Sequence, residues 1–260
     1  MSRADNVSAG GPLLVFAGLL VAWHLLSLWV QAESLPSPFS LLPELRALVI
    51  GGEIWGDAGR SLSRLAAGFA LALAAGVPLG ILCGRSARVR GFVAPLLALF
   101  YPVPKAALIP ILMLWFGAGD ASKILIIFMS VSLPIVYHGQ QGAAAVEEKL
   151  LWSARAMGIG PLGLLWRIVL PAALPELLLG VRVALVIGLI VMISSEMIVR
   201  QNGLGYDIFN AMDMAQYRLT YAVIVLVGVL GFVLDAGFEM LRRRLVFWAP
   251  QRQDRLPAPA

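Results

Sequence analysis

The chain has 260 residues, of which 60% are apolar and 13% charged, with 20 Lys and Arg against 15 Asp and Glu. A soluble domain carries about half and about a quarter, so this composition leaves too little polar surface for a fold in water. The formal charge of +5 is modest and is read as the signature of membrane-flanking loops, not of a nucleic-acid surface; the lone Cys83 excludes an intrachain disulfide.

The apolar residues gather into runs of the length that crosses a hydrocarbon core, about 20 residues of helix. In chain order these are residues 13–30, 62–84, 92–117, 121–137, 172–199 and 219–240. The third run is interrupted by Pro95, Pro102, Pro104 and Pro110. The fold class is therefore all-α, a polytopic membrane protein of about six transmembrane helices. Between the first two spans, Leu35-Pro36-Ser37-Pro38 breaks the helix, and residues 43–54 read as a short amphipathic segment at the outer surface. Val30-Gln31-Ala32 loosely resembles a signal cleavage site. The apolar stretch before it is longer than the usual 7–15 residues, so the first span is expected to be kept. Residues 251–260 are polar and Pro-rich and are expected to form a disordered tail.

Basic residues orient the spans. With both termini inside, the inner segments hold Arg3, Arg85, Arg88, Arg90, Lys149, Arg155, Arg167, Arg242, Arg243, Arg244, Arg252 and Arg255. The outer segments hold only Arg46, Arg60, Arg64, Lys123, Arg200 and Arg218. Lys and Arg are retained on the cytoplasmic side, which predicts that both termini are cytoplasmic.

Residues 139–171 connect the fourth and fifth spans and exceed the 12–15 residues beyond which a plain loop is usually functional. Residues 143–157 read as a helix, with Glu147 and Glu148 early and Arg155 late, matching the helix dipole. Gly158-Ile159-Gly160-Pro161 is a break, 162–169 a second short helix, and Pro171 the start of the next span. The pattern suits a gripping surface for another protein; an amphipathic hairpin on the membrane is the plainer alternative. Gly158-Ile159-Gly160-Pro161-Leu162-Gly163 also fits the dinucleotide fingerprint GxGxxG, but it lacks the preceding strand and holds a proline, so it is set aside as chance.

These residues carry a resemblance. Ser153-Ala154, Gly158, nine residues, then Ile168-Val169-Leu170-Pro171 resembles the "EAA" signature of binding-protein-dependent importer permeases, with Trp152 in place of the glutamate and Ser153 in place of the first alanine. Pro104-Lys105-Ala106-Ala107-Leu108-Ile109-Pro110, with Leu114-Trp115-Phe116-Gly117, is similar to the third span of the subfamily serving sulfonates, taurine, nitrate and related solutes. Glu196-Met197-Ile198 with Gly203-Leu204-Gly205-Tyr206 is similar to its fifth span and following loop. The resemblance covers residues 59–244.

It implies a type I ABC importer permease fold, a single permease domain over residues 1–250 with a cytoplasmic coupling segment at 139–171, and no catalysis on this chain. It implies ATPase subunits that bind ATP and Mg, an external solute-binding protein, and a second permease subunit, with a homodimer expected. Ser153, Ala154, Gly158, Ile168, Leu170 and Pro171 would couple to the ATPase. An ion-gradient carrier or channel stays open as the alternative function, and a vitamin or pyrimidine precursor as the alternative solute.

The remaining motifs are few. No P-loop is present, since no lysine follows a glycine, and neither GxSxG nor HExxH occurs. His24 and His138 are too far apart to suggest a metal site. Gly68, Ala72, Gly76 and Gly80 form a small-residue stripe that suits close helix packing, within one subunit or between two. Lys105 falls near the centre of the third span, where a cation costs at least about 2.5–3.5 kcal/mol. It is a candidate for lining the translocation path and favouring an anionic solute, against a lysine snorkelling to the interface. Glu196, near the end of the fifth span, is the second path candidate, with an outer gate or interhelical contact as its other reading. Arg182 is expected to pair or to reach the interface.

Overall fold

The structure, a computed structural model, describes residues 10–248; the expected tail at 251–260 lies outside them. It is helical, with no strand among the described residues. Helix α1 (Gly10–Val30) is followed by a short turn of helix and by α2 (Leu42–Gly51). Gly52, at φ +81°, then turns the chain into α3 (Glu53–Arg85). After α3 come α4 (Ala87–Phe100) and α5 (Ile109–Phe116). They join through a tight turn at Lys105–Leu108 and an 82° bend. Helix α6 (Asp120–Ala144) leads to α7 (Glu148–Ala156) and α8 (Pro161–Leu164). Helices α9 (Leu170–Val199), α10 (Leu204–Asp213) and α11 (Tyr217–Leu245) complete the chain. Five helical stretches are long and apolar enough to span a membrane, and the bent α4–α5 pair, taken as one broken span, makes a sixth.

Helices α3, α6 and α9 form the centre. Leu65 and Ala72 of α3, Ile127, Val131 and Ile135 of α6, and Ala184 and Met192 of α9 build one apolar core, which Ile109 and Leu112 of α5 close. The small-residue stripe of α3 faces α6 and so packs within the chain. A Cβ at Gly80 would stand 2.7 Å from the Val136 carbonyl oxygen, and one at Gly142 equally close to that of Ala173. Larger residues at these two positions would hold the three helices apart. Helix α11 is tied to α9 by Arg182, whose Nε and Nη2 each donate to Asp235 over 2.7 Å. The expectation that this intramembrane arginine pairs is met. Helix α1 stays almost entirely exposed, touching the rest through Trp23 against Tyr221 and His24 against Phe39.

The structure alters several boundaries. The second span begins at Glu53, nine residues before the expected 62, so Arg64, counted above with the outer segments, lies well inside the helix and not at its edge. The helix expected at 143–157 is two pieces: α6 runs on to Ala144, and α7 starts at Glu148. The short helix expected at 162–169 is not separate. Residues Pro161–Val199 form one continuous helix, with a π-helical turn at Leu165–Val169 in which the Leu170 N–H reaches the Leu165 carbonyl. Pro171 accounts for the wider turn. It has no N–H for the Arg167 carbonyl, and its ring needs that carbonyl displaced, which an extra residue in the turn allows.

Candidate functional site

Three places hold chemistry: the α7–α8 hairpin at one end of the central helices, a cavity at the α4–α5 bend, and a buried ionic cluster at the α10 end.

The hairpin is mounted rigidly. Leu151 and Ala154 of α7, with Leu164 and Val169, bury themselves against Ile81 of α3, Ala143 of α6 and Ala173 of α9. Gly158 takes the left-handed conformation at φ +80°. Its N–H donates to the Arg155 carbonyl over 2.9 Å, and the Ile159 N–H to that of Ala154 over 3.1 Å. This is the paired closure that ends a helix on a glycine, as the break at 158–161 predicts. Ser153 Oγ donates back to the Lys149 carbonyl over 2.9 Å, and Ile168 and Leu170 pack at the edge of the hairpin core. Pro171 sits at the start of α9. Leu150, Trp152, Met157, Leu162 and Trp166 point outward and are all exposed. An exposed apolar edge of this size is of the kind that meets another protein or a membrane surface.

Arg85 ties the hairpin to α3. Its Nη2 donates to Glu148 Oε1 over 2.6 Å, and its Nη1 to the Ala143 and Val146 carbonyls over 3.3 and 3.5 Å. One guanidinium thus closes the last turn of α6 and the first turn of α7.

The cavity at the bend holds about 480 Å³ and lies between the turn carrying Lys105 and the facing sides of α6 and α9. Lys105 stands at the break itself, not within a continuous span. Its ammonium donates to the carbonyls of Phe100 and Tyr101 over 2.9 and 2.8 Å, which leaves one of three donors free. A cation here complements the carbonyl end of α4, the negative end of the helix dipole. Ser130, Tyr137 and His138 add polar groups to the walls, although Ser130 Oγ is committed to the Ile126 carbonyl.

At the opposite end, Glu196 is 0% exposed and Arg64 3%. Arg64 Nη1 donates to Glu196 Oε1 over 2.7 Å and to the Asn202 carbonyl over 3.1 Å; its Nε donates to Asp120 Oδ1 over 2.7 Å. Its Nη2 reaches Asn202 Oδ1. Ser61 Oγ lies 2.8 Å from both Glu196 oxygens. The first N–H groups of α10 are satisfied from other helices: Gly203 by Asp57 Oδ1, Leu204 by Ser61 Oγ and Gly205 by Glu196 Oε2. Three side chains therefore do from a distance what a local cap does for an ordinary helix. Glu196 stands inside the chain as an interhelical contact. Lys123, 1% exposed, is a second buried basic residue nearby, its Nζ without a hydrogen-bond partner among the described residues.

Sequence reasoning missed Arg64 and Lys123, counting both as outer flanking charges. The available signal was the placement of Ser61 and Arg64 on the same face as Gly68, Ala72 and Gly76, the face that packs on α6. Among the described residues no group of three or more His, Cys, Asp or Glu could hold a metal ion.

Residues 76–247 match the family described as binding-protein-dependent transport system inner membrane component. The taurine transport system permease protein TauC of Escherichia coli (strain K12) is 30% identical over 255 residues, 95% of this chain and 91% of that protein. The nitrate import permease protein NrtB of Synechocystis is 27% identical, over 90% and 88% of the two chains. A chain of the MetNI methionine ABC transporter superposes with a TM-score of 0.62 at 19% identity, over 74% of this chain and 95% of that one. This protein belongs to the binding-protein-dependent transport system inner membrane component family: it is a multi-pass permease subunit of an ABC importer. That membership displaces the gradient-driven carrier as an account of its function.

Proposed function

We propose that the chain forms the path for a small anionic solute and is driven by a separate ATPase seated on the α7–α8 hairpin. The carrying observation is the exposed apolar edge of Trp152, Met157, Leu162 and Trp166, set on a hairpin whose other face is fused to α3, α6 and α9. A push on that edge would move the three central helices together, the differential contact through which two sites are coupled. Ser153, Ala154, Gly158, Ile168, Leu170 and Pro171 shape the hairpin and serve the docking indirectly. ATP and Mg bind the partner. A second permease copy completes the path, a binding protein delivers the solute on the α10 side, and both termini lie in the cytoplasm with the hairpin.

The anionic preference rests on Lys105, a cation at the break of a span beside a cavity, where low dielectric magnifies its attraction. The solutes named for the relatives, taurine and nitrate, suit it, since a sulfonate and a nitrate are both anions.

Trp152→Glu and Met157→Glu together should abolish co-purification of the co-expressed ATPase while leaving the permease inserted. Unchanged ATPase recovery sinks the docking assignment. Lys105→Met should lower uptake of taurine or nitrate without loss of that complex, and uptake at the parental rate would remove Lys105 from the path. Orientation is read by single-cysteine labelling in Cys83→Ala: impermeant reagent reaching Ala145→Cys from outside would overturn it.

A further inference from the structure

The cavity at the α4–α5 bend has a second polar pole that the anionic reading does not use. His138 lines it from α6, and its Nδ1 lies 2.9 Å from Glu176 Oε1 on α9. An ionised carboxylate can only accept, so Nδ1 carries the proton. Nε2 is then a bare lone pair whenever the ring is neutral, since the bond made by one ring nitrogen sets the role of the other. Among the described residues Nε2 has no hydrogen-bond partner, and it is not among the occluded polar atoms. The ring is also held in place sterically. It packs over Gly180, where a Cβ would come within 2.4 Å of the His138 Cβ. With its ring neutral, His138 thus gives the cavity of about 480 Å³ that holds Lys105 an acceptor beside a positive donor.

Resting on the reading that an anion meets Lys105, we propose that His138 Nε2 is a second solute contact, positioned by Glu176. The solute it selects is a small organic anion whose other end donates a hydrogen bond, through a hydroxyl or an ammonium group. A simple inorganic anion or an unsubstituted alkyl anion satisfies Lys105 and leaves Nε2 unpaired, which is how a polar site rejects the analogue lacking a group. An ammonium end gains further from the Glu176 charge behind the ring.

The chain has two histidines, so ¹⁵N-histidine labelling of the full chain in lipid nanodiscs reads His138 directly, and His138→Gln assigns its signals. The probes are ethanesulfonate, 2-hydroxyethanesulfonate and 2-aminoethanesulfonate, with ¹⁵N-lysine labelling reporting Lys105 in parallel. All three should move the Lys105 signal, and only the hydroxy and amino compounds the Nε2 signal. The apparent affinity for those two should exceed that for ethanesulfonate by about tenfold, the value of one hydrogen bond. Glu176→Met should let the proton move to Nε2, seen as a tautomer shift, and abolish the preference. Glu176→Gln, which keeps an acceptor, should restore it. If Lys105 responds to every probe and Nε2 to none, His138 is not a contact and the Lys105 reading stands. If ethanesulfonate moves Nε2 as far as the others, the hydrogen-bond selection is wrong. If neither signal responds, both readings fall.

Discussion

Arg64 and Glu196, 132 residues apart in sequence, meet across 2.7 Å in the interior of the α10 end, joining α3 to α9. The pair is fully partnered: Arg64 also binds Asp120 and Asn202, and Glu196 also meets Ser61 and the Gly205 N–H. Removing one member leaves the other charged, buried and short of partners. Arg64→Met should therefore destabilise the chain by about 3–5 kcal/mol. Glu196→Gln should cost less, because Asp120 remains for Arg64. In the double variant the losses should fall short of the sum, since both act on one contact. Unfolding of the single and double variants in detergent measures this, and strict additivity would show that the pair is not a unit.

A neighbouring carboxyl gives the pH dependence. Asp207 of α10 has an occluded Oδ2 with no hydrogen-bond partner. Burial, then the Asp57 and Glu196 carboxylates, push its pKa up to about 6 from 3.8, with Arg60 offsetting part. The folded state thus holds this proton more tightly than the unfolded chain. Its contribution to stability is complete below about pH 4, falls as pH rises between about 4 and 6, and is absent above. Asp207→Asn should flatten the stability profile across that window and make the protein more stable than the parent at pH 7. Parallel profiles for the two proteins would contradict the assignment.

Positive-φ positions separate strain from crowding. Gly203, at φ +107°, has the Glu196 carboxylate where a Cβ would go, 2.4 Å away at its carbon. Gly203→Ala should cost at least about 3 kcal/mol. Gly158 has nothing within 4 Å of that position, so Gly158→Ala should cost about 1 kcal/mol, for conformation alone. Gly158→Val should leave insertion intact but weaken ATPase recovery and uptake together, while Gly158→Asn, which tolerates the left-handed region, should do little. Ala215 closes α10 at φ +55° without being glycine; Ala215→Gly should stabilise by about 1 kcal/mol. Thermal unfolding ranks the three stability effects, and Gly203→Ala no worse than Gly158→Ala would refute the crowding argument.

The spans and the Gly158 turn were legible because they are local: apolar runs of membrane length, and a glycine just past a helix that needs left-handed backbone. The start of α3 was not. Hydropathy reads a charge as the end of a span, and Arg64 looks like an end until the acids that pair with it, Asp120 and Glu196, are known. Those acids lie on other helices, and no spacing rule joins Arg64 to Glu196. Lys105 was legible as an intramembrane cation, but its use as a cap for α4 needed the bend. The π turn was hidden for a different reason. Pro171 reads as a helix start, and only an unbroken hairpin-to-span helix reveals that the chain widens a turn to carry the proline inside.

Arg85 supplies the last prediction. An exposed ion pair such as Arg85–Glu148 is worth about 0–1 kcal/mol, so overall stability should hardly change when it is lost. Its position makes a different effect expected. The guanidinium is the only side chain among the described residues that hydrogen-bonds both the end of α6 and the start of α7, so it fixes the angle at which the hairpin leaves the central helices. Without it, Leu151 and Ala154 still anchor α7 and the outward apolar edge survives. Arg85→Met should therefore keep the ATPase bound and hydrolysing, while fewer solutes are carried per ATP. Arg85→Lys should recover part of the loss, since an ammonium reaches one partner but not both ends. Glu148→Gln should act in the same direction, more weakly, because the carbonyl bonds remain. The ratio of uptake to phosphate release in proteoliposomes measures it. A parental ratio in Arg85→Met, with normal assembly, would mean that hairpin packing alone transmits the movement.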